Sequence, residues 1–274
     1  MNSRLLKILS ILIALAVITG CAVSERQMNP VAVPEIYPGY LAGYLQPEML
    51  PDSSAFIPPP PNENSAALAL DKEDNLKNLA LNGTPRWTLA AKDAELKFPK
   101  AAETFSCALN APITEQDTPY LYILLRRTLM DAGLSTYSAK QMYERPRPFI
   151  VNGEPICTPE KVEHLKESGS YPSGHTAIGW AWALILAEIA PEHVNEIITR
   201  GRVFGESRKI CNVHWHSDIV AGRLVGASVV ARLHADPTFI ADLEAAKAEL
   251  ASVREKGLKP THDCQVEVEA LTQN

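Results

Sequence analysis

The apolar residues of this chain recur mostly at helical spacing. Leu121, Leu124, Leu125 and Leu129 share one face of a predicted helix, whereas the alternating runs typical of β-strands are scarce between residues 65 and 250. The pattern therefore predicts a chain that is helical almost throughout. The predicted helices cover residues 66–81, 86–97, 118–133, 137–144, 174–190, 192–206, 214–234 and 238–256.

Prolines set several of these limits. The helix 137–144 must stop before Pro146, because proline disfavours helical geometry in the residue that precedes it. Pro191 suits the first turn of the next helix. The apolar segment 176–190 carries Glu188 and is too short to span a bilayer, so it is predicted to be a buried helix.

The N-terminus has the pattern of an export signal. A short basic start precedes an apolar run from Ile8 to Ile18, which is too short for a membrane span. Residues 17–21 resemble a bacterial lipobox, which predicts that Cys21 is the lipidated first residue of a mature periplasmic protein. Ala22 favours anchoring in the outer membrane. The alternative is a cleaved signal with an incidental cysteine.

Composition divides the rest of the chain. Residues 1–20 are the predicted signal peptide, and residues 22–65 are a proline-rich arm that ends in Pro58–Pro61. Residues 66–256 are the predicted helical domain, and residues 257–274 are a C-terminal tail.

The overall composition is that of an ordinary globular protein. The 274 residues are 46% hydrophobic and 21% charged, with a formal net charge of −6. This acidic balance argues against a nucleic-acid partner. The one predicted membrane contact is the N-terminal lipid anchor.

Five cysteines are an odd number for an exported protein. If Cys21 is lipidated, Cys107, Cys157, Cys211 and Cys264 fit two disulfides, with three possible pairings. Cys157 and Cys211 both lie near the motifs described below, which favours that pair. Four free thiols are the alternative. No cysteine or histidine spacing resembles a zinc site.

His214 and Asp218 are four residues apart and would share a face of a helix. The carboxylate can hold one ring nitrogen and leave the other directed at a substrate, as an orienting acid does in hydrolases. Arg208 lies about two turns upstream and can reach the same place. His214, His216 and Asp218 also form a His-x-His-x-Asp pattern typical of metallohydrolases, but a helix would direct His216 away from His214.

The segment Pro172-Ser173-Gly174-His175 precedes an apolar helix. Amides at the start of a helix favour an anion, the Ser173 hydroxyl adds a donor, and His175 is placed to protonate a departing oxygen. The alternative is an ordinary helix cap with an exposed His175.

Two further cations lie upstream. Lys140 offers a point charge and Arg147 a planar fork for phosphate oxygens. Arg145 also precedes a proline, so the residues alone leave open which arginine belongs to the site. Taken alone, these cations would be solvated surface charges.

Other histidines and tryptophans have simpler interpretations. Four histidines in polar or terminal contexts are predicted to lie on the surface: His164, His193, His234 and His262. Trp180 and Trp182 are predicted to lie in the core.

Together the motifs resemble the three-part signature of the type 2 phosphatidic acid phosphatase superfamily. The parts are Lys140-x6-Arg147-Pro148, Pro172-Ser173-Gly174-His175 and Ser207-Arg208-x5-His214-x3-Asp218. The longer string Gly169–Thr176 and the proline-rich segment are similar to those of bacterial class A non-specific acid phosphatases. The resemblance covers about residues 40–255 and selects Arg147 over Arg145.

The resemblance implies an all-α phosphatase with a helical-bundle core that needs no metal or other cofactor. His214 would be the nucleophile that forms a phosphohistidine, Asp218 its orienting residue and His175 the general acid. Five groups would bind the phosphoryl oxygens: Lys140, Arg147, Ser173, Gly174 and Arg208. The substrates would be small phosphate monoesters, with an acidic optimum, and the protein would form a homo-oligomer. The lipobox departs from the family's usual soluble form.

Three other functions share features of this site. A vanadate-dependent haloperoxidase has a similar anion site, and a lipid phosphatase of the same superfamily usually carries several membrane helices. A phosphate-binding lipoprotein without catalysis is the third alternative, but binding alone needs no oriented nucleophile.

Overall fold

The computed structural model describes residues 30–272, so the predicted signal segment and Cys21 lie outside the described residues. The described chain is helical apart from one short antiparallel pair, β1 (Glu35–Tyr37) and β2 (Tyr40–Leu41). The helices are α1 (Ser53–Phe56), α2 (Ala66–Leu79), α3 (Pro85–Lys92), α4 (Lys100–Leu109), α5 (Pro119–Leu134), α6 (Tyr137–Tyr143), α7 (Pro148–Asn152), α8 (Val162–Lys166), α9 (Gly174–Ile189), α10 (Val194–Ile210), α11 (His216–Leu233), α12 (Pro237–Glu255) and α13 (Gln265–Thr272). The predicted all-α fold is confirmed.

The apolar helix α9 is the centre of the core and packs against α5, α10 and α11. Trp182 is buried there and donates from Nε1 to the Leu125 carbonyl of α5 at 2.9 Å. Glycines bring α11 close to the start of α9. A Cβ on Gly222 would lie 2.6 Å from the Ser173 carbonyl oxygen, and one on Gly226 would lie 2.5 Å from that of Ala177. Close backbone contact therefore fixes the Ser173 turn against α11.

The proline-rich arm wraps the helices. Tyr44 and Leu45 are buried in the main core, and both backbone amides donate to the buried Asp131 carboxylate at 3.0 Å. Further along, the Tyr171 hydroxyl donates to the Pro58 carbonyl at 2.6 Å. The described part of the arm is thus attached at two points, and the second attachment lies directly before the Ser173 turn.

Several boundaries differ from the sequence prediction. The helix expected over 86–97 ends at Lys92, so the next residues form a turn. The helix expected from 214 begins at His216, which leaves His214 in the preceding turn. The segment 257–274, treated as a tail, contains α13. Helix α4 was missed.

The four cysteines form two disulfides in the structure. Cys157 is joined to Cys211, the favoured pair, and Cys107 is joined to Cys264. The second disulfide attaches the C-terminal segment to α4.

Three side chains are placed differently from expectation. His193, expected on the surface, is half-buried directly before α10. Trp180, expected in the core, is half-buried with the Arg223 guanidinium 5.7 Å from its ring centre. His262, expected on the surface, is half-buried with Nε2 3.1 Å from the Cys107 sulfur. Among residues 30–272, no helix has the length and apolar character needed to cross a bilayer.

Candidate active site

His214 is buried in the turn between α10 and α11, with 3% of its surface exposed. Its Nδ1 lies 3.2 Å from Asp218 Oδ2, and its Nε2 lies 3.1 Å from Nη1 of Arg147. A guanidinium can only donate, so Nε2 must accept and the ring proton must reside on Nδ1. The geometry therefore leaves the Nε2 lone pair on the side of the cations.

Asp218 reaches His214 by capping a helix rather than by sharing its face. Asp218 lies in the first turn of α11, and its Oδ2 also accepts from the Trp215 backbone amide at 2.9 Å. The contact expected from the spacing is present, but the expected reason was wrong, because His214 precedes the helix. The other carboxylate oxygen of Asp218, Oδ1, accepts from Arg145 Nη1 at 2.6 Å.

Arg145 is the arginine that the sequence motif set aside. It is buried, and its Nη2 pairs with Asp71 Oδ2 at 2.7 Å while its Nη1 pairs with Asp218. Asp71 comes from α2 and is 1% exposed. It also accepts from the backbone amide and the hydroxyl of Ser217, at 2.8 and 2.6 Å. Sequence reasoning left Arg145 open until the family motif selected Arg147, and it missed Asp71.

Arg147 contacts the ring nitrogen of His214 that Asp218 does not, and Lys140 shares the Gly169 carbonyl with Arg147. The Lys140 amine donates to the Gly169 carbonyl at 2.8 Å. Arg147 donates from Nε to the Leu165 carbonyl and from Nη1 to the Val213 carbonyl, at 2.8 and 3.0 Å. Carbonyl partners hold these cations in place without neutralising their charge.

Arg208 completes a group of three cations. Its side chain is 1% exposed, and within residues 30–272 its Nε and Nη1 atoms are buried without a hydrogen-bond partner. A buried guanidinium without a partner is unfavourable, since buried charges are normally paired. The unpaired donors fit an anionic ligand.

The cations lower one another's proton affinity. Burial, together with nearby Arg147, lowers the pKa of Lys140 to about 7. Burial and Arg147 also lower the pKa of Arg208 to about 9, and burial lowers that of Arg147 to about 10. Burial and the same three cations hold the pKa of His214 well below its usual range. The site is therefore positively charged while His214 is neutral.

Ser173 is the N-cap residue of α9. Its buried Oγ accepts from the Thr176 amide at 3.3 Å and from the Thr176 hydroxyl at 2.9 Å. Both contacts use the oxygen as acceptor, so its own proton remains available for an anion. The Ser173 amide donates to the Asp218 carbonyl at 3.0 Å. The cap and the anion-binding interpretations are therefore compatible.

His175 is half-buried in the first turn of α9, and its ring stacks on Phe204 at a centroid distance of 6.4 Å. Its Nε2 lies 3.2 Å from the Ala94 carbonyl oxygen, which can only accept, so Nε2 carries a proton and Nδ1 is the exchangeable position. Lys161 donates to the same oxygen at 3.1 Å. Burial, followed by Arg208, holds the pKa of His175 well below its usual range.

A second buried network holds Arg208's helix in place. Asp93 accepts from Arg200 and from the Ser207 hydroxyl, and Ser207 in turn accepts from Arg86 at 3.0 Å. Asp93 directly precedes Ala94, so the network also places the carbonyl that contacts His175. Early termination of α3 creates this turn, and the residue pattern alone did not indicate it.

His216 does not join His214 and Asp218. It lies on the wall of a cavity of about 300 Å³, beside Asp71, Ser217 and Tyr171. The three members of the His-x-His-x-Asp pattern therefore do not converge.

Comparison with known proteins gives relatives that span most of the chain. A model of the PAP2 superfamily matches residues 119–239. A non-specific acid phosphatase of Providencia stuartii is 45% identical over 212 residues, which cover 77% of this chain and 86% of the relative. A non-specific acid phosphatase of Salmonella typhimurium is 43% identical over 208 residues, covering 76% and 83% of the two chains. An acid phosphatase of Zymomonas mobilis is 38% identical over 209 residues, covering 76% and 79%.

Proposed function

Since the chain belongs to the bacterial class A non-specific acid phosphatases of the PAP2 superfamily, we propose that it hydrolyses small phosphate monoesters through a phosphohistidine on His214. The observation that carries the proposal is the state of His214. Its Nδ1 proton is held by Asp218, its Nε2 lone pair is directed at Arg147, and the cations Lys140 and Arg208 lie nearby.

In the first step, Nε2 of His214 attacks phosphorus in line with the ester bond. The P–O bond breaks, its electron pair leaves with the ester oxygen, and His175 transfers a proton to that oxygen from Nδ1. Lys140, Arg147 and Arg208 stabilise charge on the three remaining phosphoryl oxygens. The Asp218 carboxylate stabilises the positive charge that develops on the His214 ring.

In the second step, water attacks the phosphohistidine. His175, now neutral, takes the proton from water, and the N–P bond breaks to release phosphate and restore His214. An alcohol in place of water would yield a new phosphate monoester, so phosphotransferase activity is part of the proposal.

The charges favour an acidic working range. His214 must be neutral to attack, and its pKa lies well below the usual value. Lys140 is fully charged only below its pKa of about 7. Both conditions are met in mildly acidic solution. A bound phosphate dianion raises the pKa of His175 and so helps it to carry the proton it transfers.

Rapid mixing with p-nitrophenyl phosphate tests the covalent step. We expect a burst of p-nitrophenol and a protein-bound phosphate that survives base but not acid, as a phosphohistidine does. The His214→Ala variant should give neither signal, and an excess of EDTA should leave the wild-type rate unchanged. A burst that persists in the variant, or strong inhibition by EDTA, would contradict the mechanism.

We also propose that the protein is exported, anchored through Cys21 and assembled as a homo-oligomer. The lipobox-like segment and two disulfides support export, since disulfides persist in oxidising compartments. Cys21→Ser should move the protein from the outer-membrane fraction to the soluble periplasmic fraction. Light scattering of the purified mature protein tests the oligomer.

A further inference from the structure

A chain of buried charges continues behind His214. Asp218 contacts the ring, Arg145 contacts Asp218 at 2.6 Å, and Asp71 contacts Arg145 at 2.7 Å. The Asp71 and Asp218 side chains are no more than 1% exposed, and that of Arg145 is 9% exposed. We refer to Asp71, Arg145 and Asp218 as the rear triad.

The rear triad carries one net negative charge, because two carboxylates share one guanidinium. If Arg145 paired with Asp218 alone, the two charges would cancel directly behind the nucleophile. Asp71 takes one arm of the guanidinium and restores the negative charge. In a buried site this charge favours any positive charge on the His214 ring, since such interactions are weakly screened.

Asp71 reaches the triad from outside the recognised domain. The superfamily model covers residues 119–239, whereas Asp71 lies on α2, far earlier in the chain. Its backbone is placed by contacts of α2 with α10 and α11. On α2 the buried side chains are the polar residues Asp71 and Asn75, while Leu70 and Leu76 are exposed. This helix therefore presents polar groups, not an apolar face, to the site.

We propose that Asp71 is a positioning residue of the phosphatase site: it orients Arg145 and keeps the rear triad negative, so that His214 can accept positive charge when it attacks phosphorus. The inference rests on the proposed function of His214. It adds a contribution from the N-terminal region that the motifs do not contain.

The other groups that act on His214 are all cationic or neutral. Burial and the cations Arg147, Lys140 and Arg208 lower the pKa of His214, and His175 is near enough to be affected by the charge of His214. Loss of the Asp71 charge would leave these cations opposed only by a neutral Asp218–Arg145 pair. The pKa of His214 would fall further, and its lone pair would become a weaker nucleophile.

Asp71→Asn tests this prediction, because asparagine keeps the size and one acceptor oxygen. We expect kcat to fall by about 10–100-fold, as is typical when an outer-shell partner that orients a metal-binding side chain is lost. The acid limb of the kcat/KM profile should move to lower pH by about 0.5–1 unit. NMR titration of the His214 ring should show the same shift.

Glu73→Gln is the matched control. Glu73 lies on α2 and pairs with Lys77 on the surface, so its loss removes the same charge from the same helix without touching the triad. Its rate and acid limb should match the wild type. Ser217→Ala removes a hydroxyl that contacts both Asp71 and Arg145 but no charge. We expect it to lower kcat slightly through altered geometry and to leave the His214 titration unchanged.

The double variant Asp71→Asn/Arg145→Gln separates charge from structure. It removes one charge of each sign and returns the triad to one net negative charge. The His214 titration should therefore move back towards the wild-type value. An unchanged His214 titration in folded Asp71→Asn would overturn the inference, even if activity falls. If the wild-type enzyme shows no phosphoenzyme burst, the proposed function itself would be overturned.

If Asp71→Asn does not fold, Asp71→Glu keeps the charge and serves as the second variant. It should titrate like the wild type at His214 while losing part of kcat through altered geometry. A shift of the titration in Asp71→Glu as large as that expected for loss of charge would also contradict the inference.

Discussion

The two histidines of the site, His214 and His175, differ in the group that contacts the ring nitrogen not used in the proposed reaction. At His214 the partner is a carboxylate, Asp218, 3.2 Å from Nδ1. At His175 the partner is the neutral carbonyl of Ala94, 3.2 Å from Nε2, and Lys161 donates to the same oxygen. A carboxylate favours positive charge on its ring, whereas a carbonyl shared with a cation does so far less.

This difference gives each ring a role. In the proposed mechanism, the Asp218 carboxylate supports His214 as the group that becomes positively charged when it bonds to phosphorus. His175, near Arg208 and Lys161, holds its proton weakly and is suited to transfer it. Burial lowers both pKa values, so the partners, rather than burial, distinguish the two histidines.

The largest effect should follow from removing the nucleophile. His214→Ala is expected to lower kcat by about 10⁴-fold or more, because His214 is the proposed nucleophile of the covalent step. His216→Ala is the matched control, since His216 lies two residues away and faces the cavity beside Asp71. Steady-state kinetics should find the control near wild type. Equal losses in both variants would remove the distinction between these histidines.

Removal of His175 should have an effect that depends on the leaving group. His175→Ala is expected to slow alkyl phosphates by about 10²–10⁴-fold, the usual contribution of a general acid. p-Nitrophenyl phosphate should lose much less, since its phenolate leaves without protonation. The measurement is kcat/KM across leaving groups of rising pKa, with exposed His164→Ala as control. A uniform loss would assign His175 a role other than proton donation.

The two buried arginines Arg208 and Arg200 of α10 are expected to differ in role, the first supporting activity and the second stability. Arg208 has unpaired donors, whereas Arg200 is paired with Asp93 and Glu267. Arg208→Met should lower kcat by about 10²–10³-fold while the thermal midpoint is kept or raised. Arg200→Met should destabilise the fold by about 3–5 kcal/mol, because it leaves buried carboxylates unpaired.

Thermal unfolding and kinetics of both variants provide the measurement. The exposed Arg202 of the same helix supplies the control variant Arg202→Met. A large loss of stability in Arg208→Met would mean that its guanidinium is paired in the folded protein.

The smallest effect concerns Lys140. Burial lowers its pKa to about 7, so it is charged below that pH and loses its charge as pH rises through it. Competitive inhibition by sulfate, which keeps its charge, should therefore weaken severalfold from about pH 7 upwards. Lys140→Arg keeps the cation and should flatten this dependence. His175 and His214 are already neutral in this range. A steep dependence in the variant would assign the titration to another group.

Much of the helical framework could be predicted from local patterns. The helix over 118–133 was placed within one residue at each end, because apolar spacing and Pro119 determine it locally. The end of α3 at Lys92 could not be predicted, because the following residues have helical composition and the turn depends on Asp93 pairing with Arg200. A pairing across 107 residues leaves no local signal.

Within the site, too, local patterns predicted some features, while others depended on residues far apart in the chain. The motifs supplied the types and order of the residues that converge on His214, because short spacings such as that between His214 and Asp218 allow few geometries. The residues alone could not separate Arg145 from Arg147, and the family pattern was needed to select one.

The sequence by itself determined an all-α chain with two histidines, one carboxylate and several cations at spacings suited to phosphoryl chemistry. Only the tertiary structure decided that Arg147 faces the lone pair of His214 while Arg145 lies behind it, held by Asp71 from 74 residues earlier. The physical reason is that the local pattern of residues specifies the backbone conformation of a segment. The charge environment of a side chain is instead set by the distant groups that the packed helices bring within a few ångströms of it.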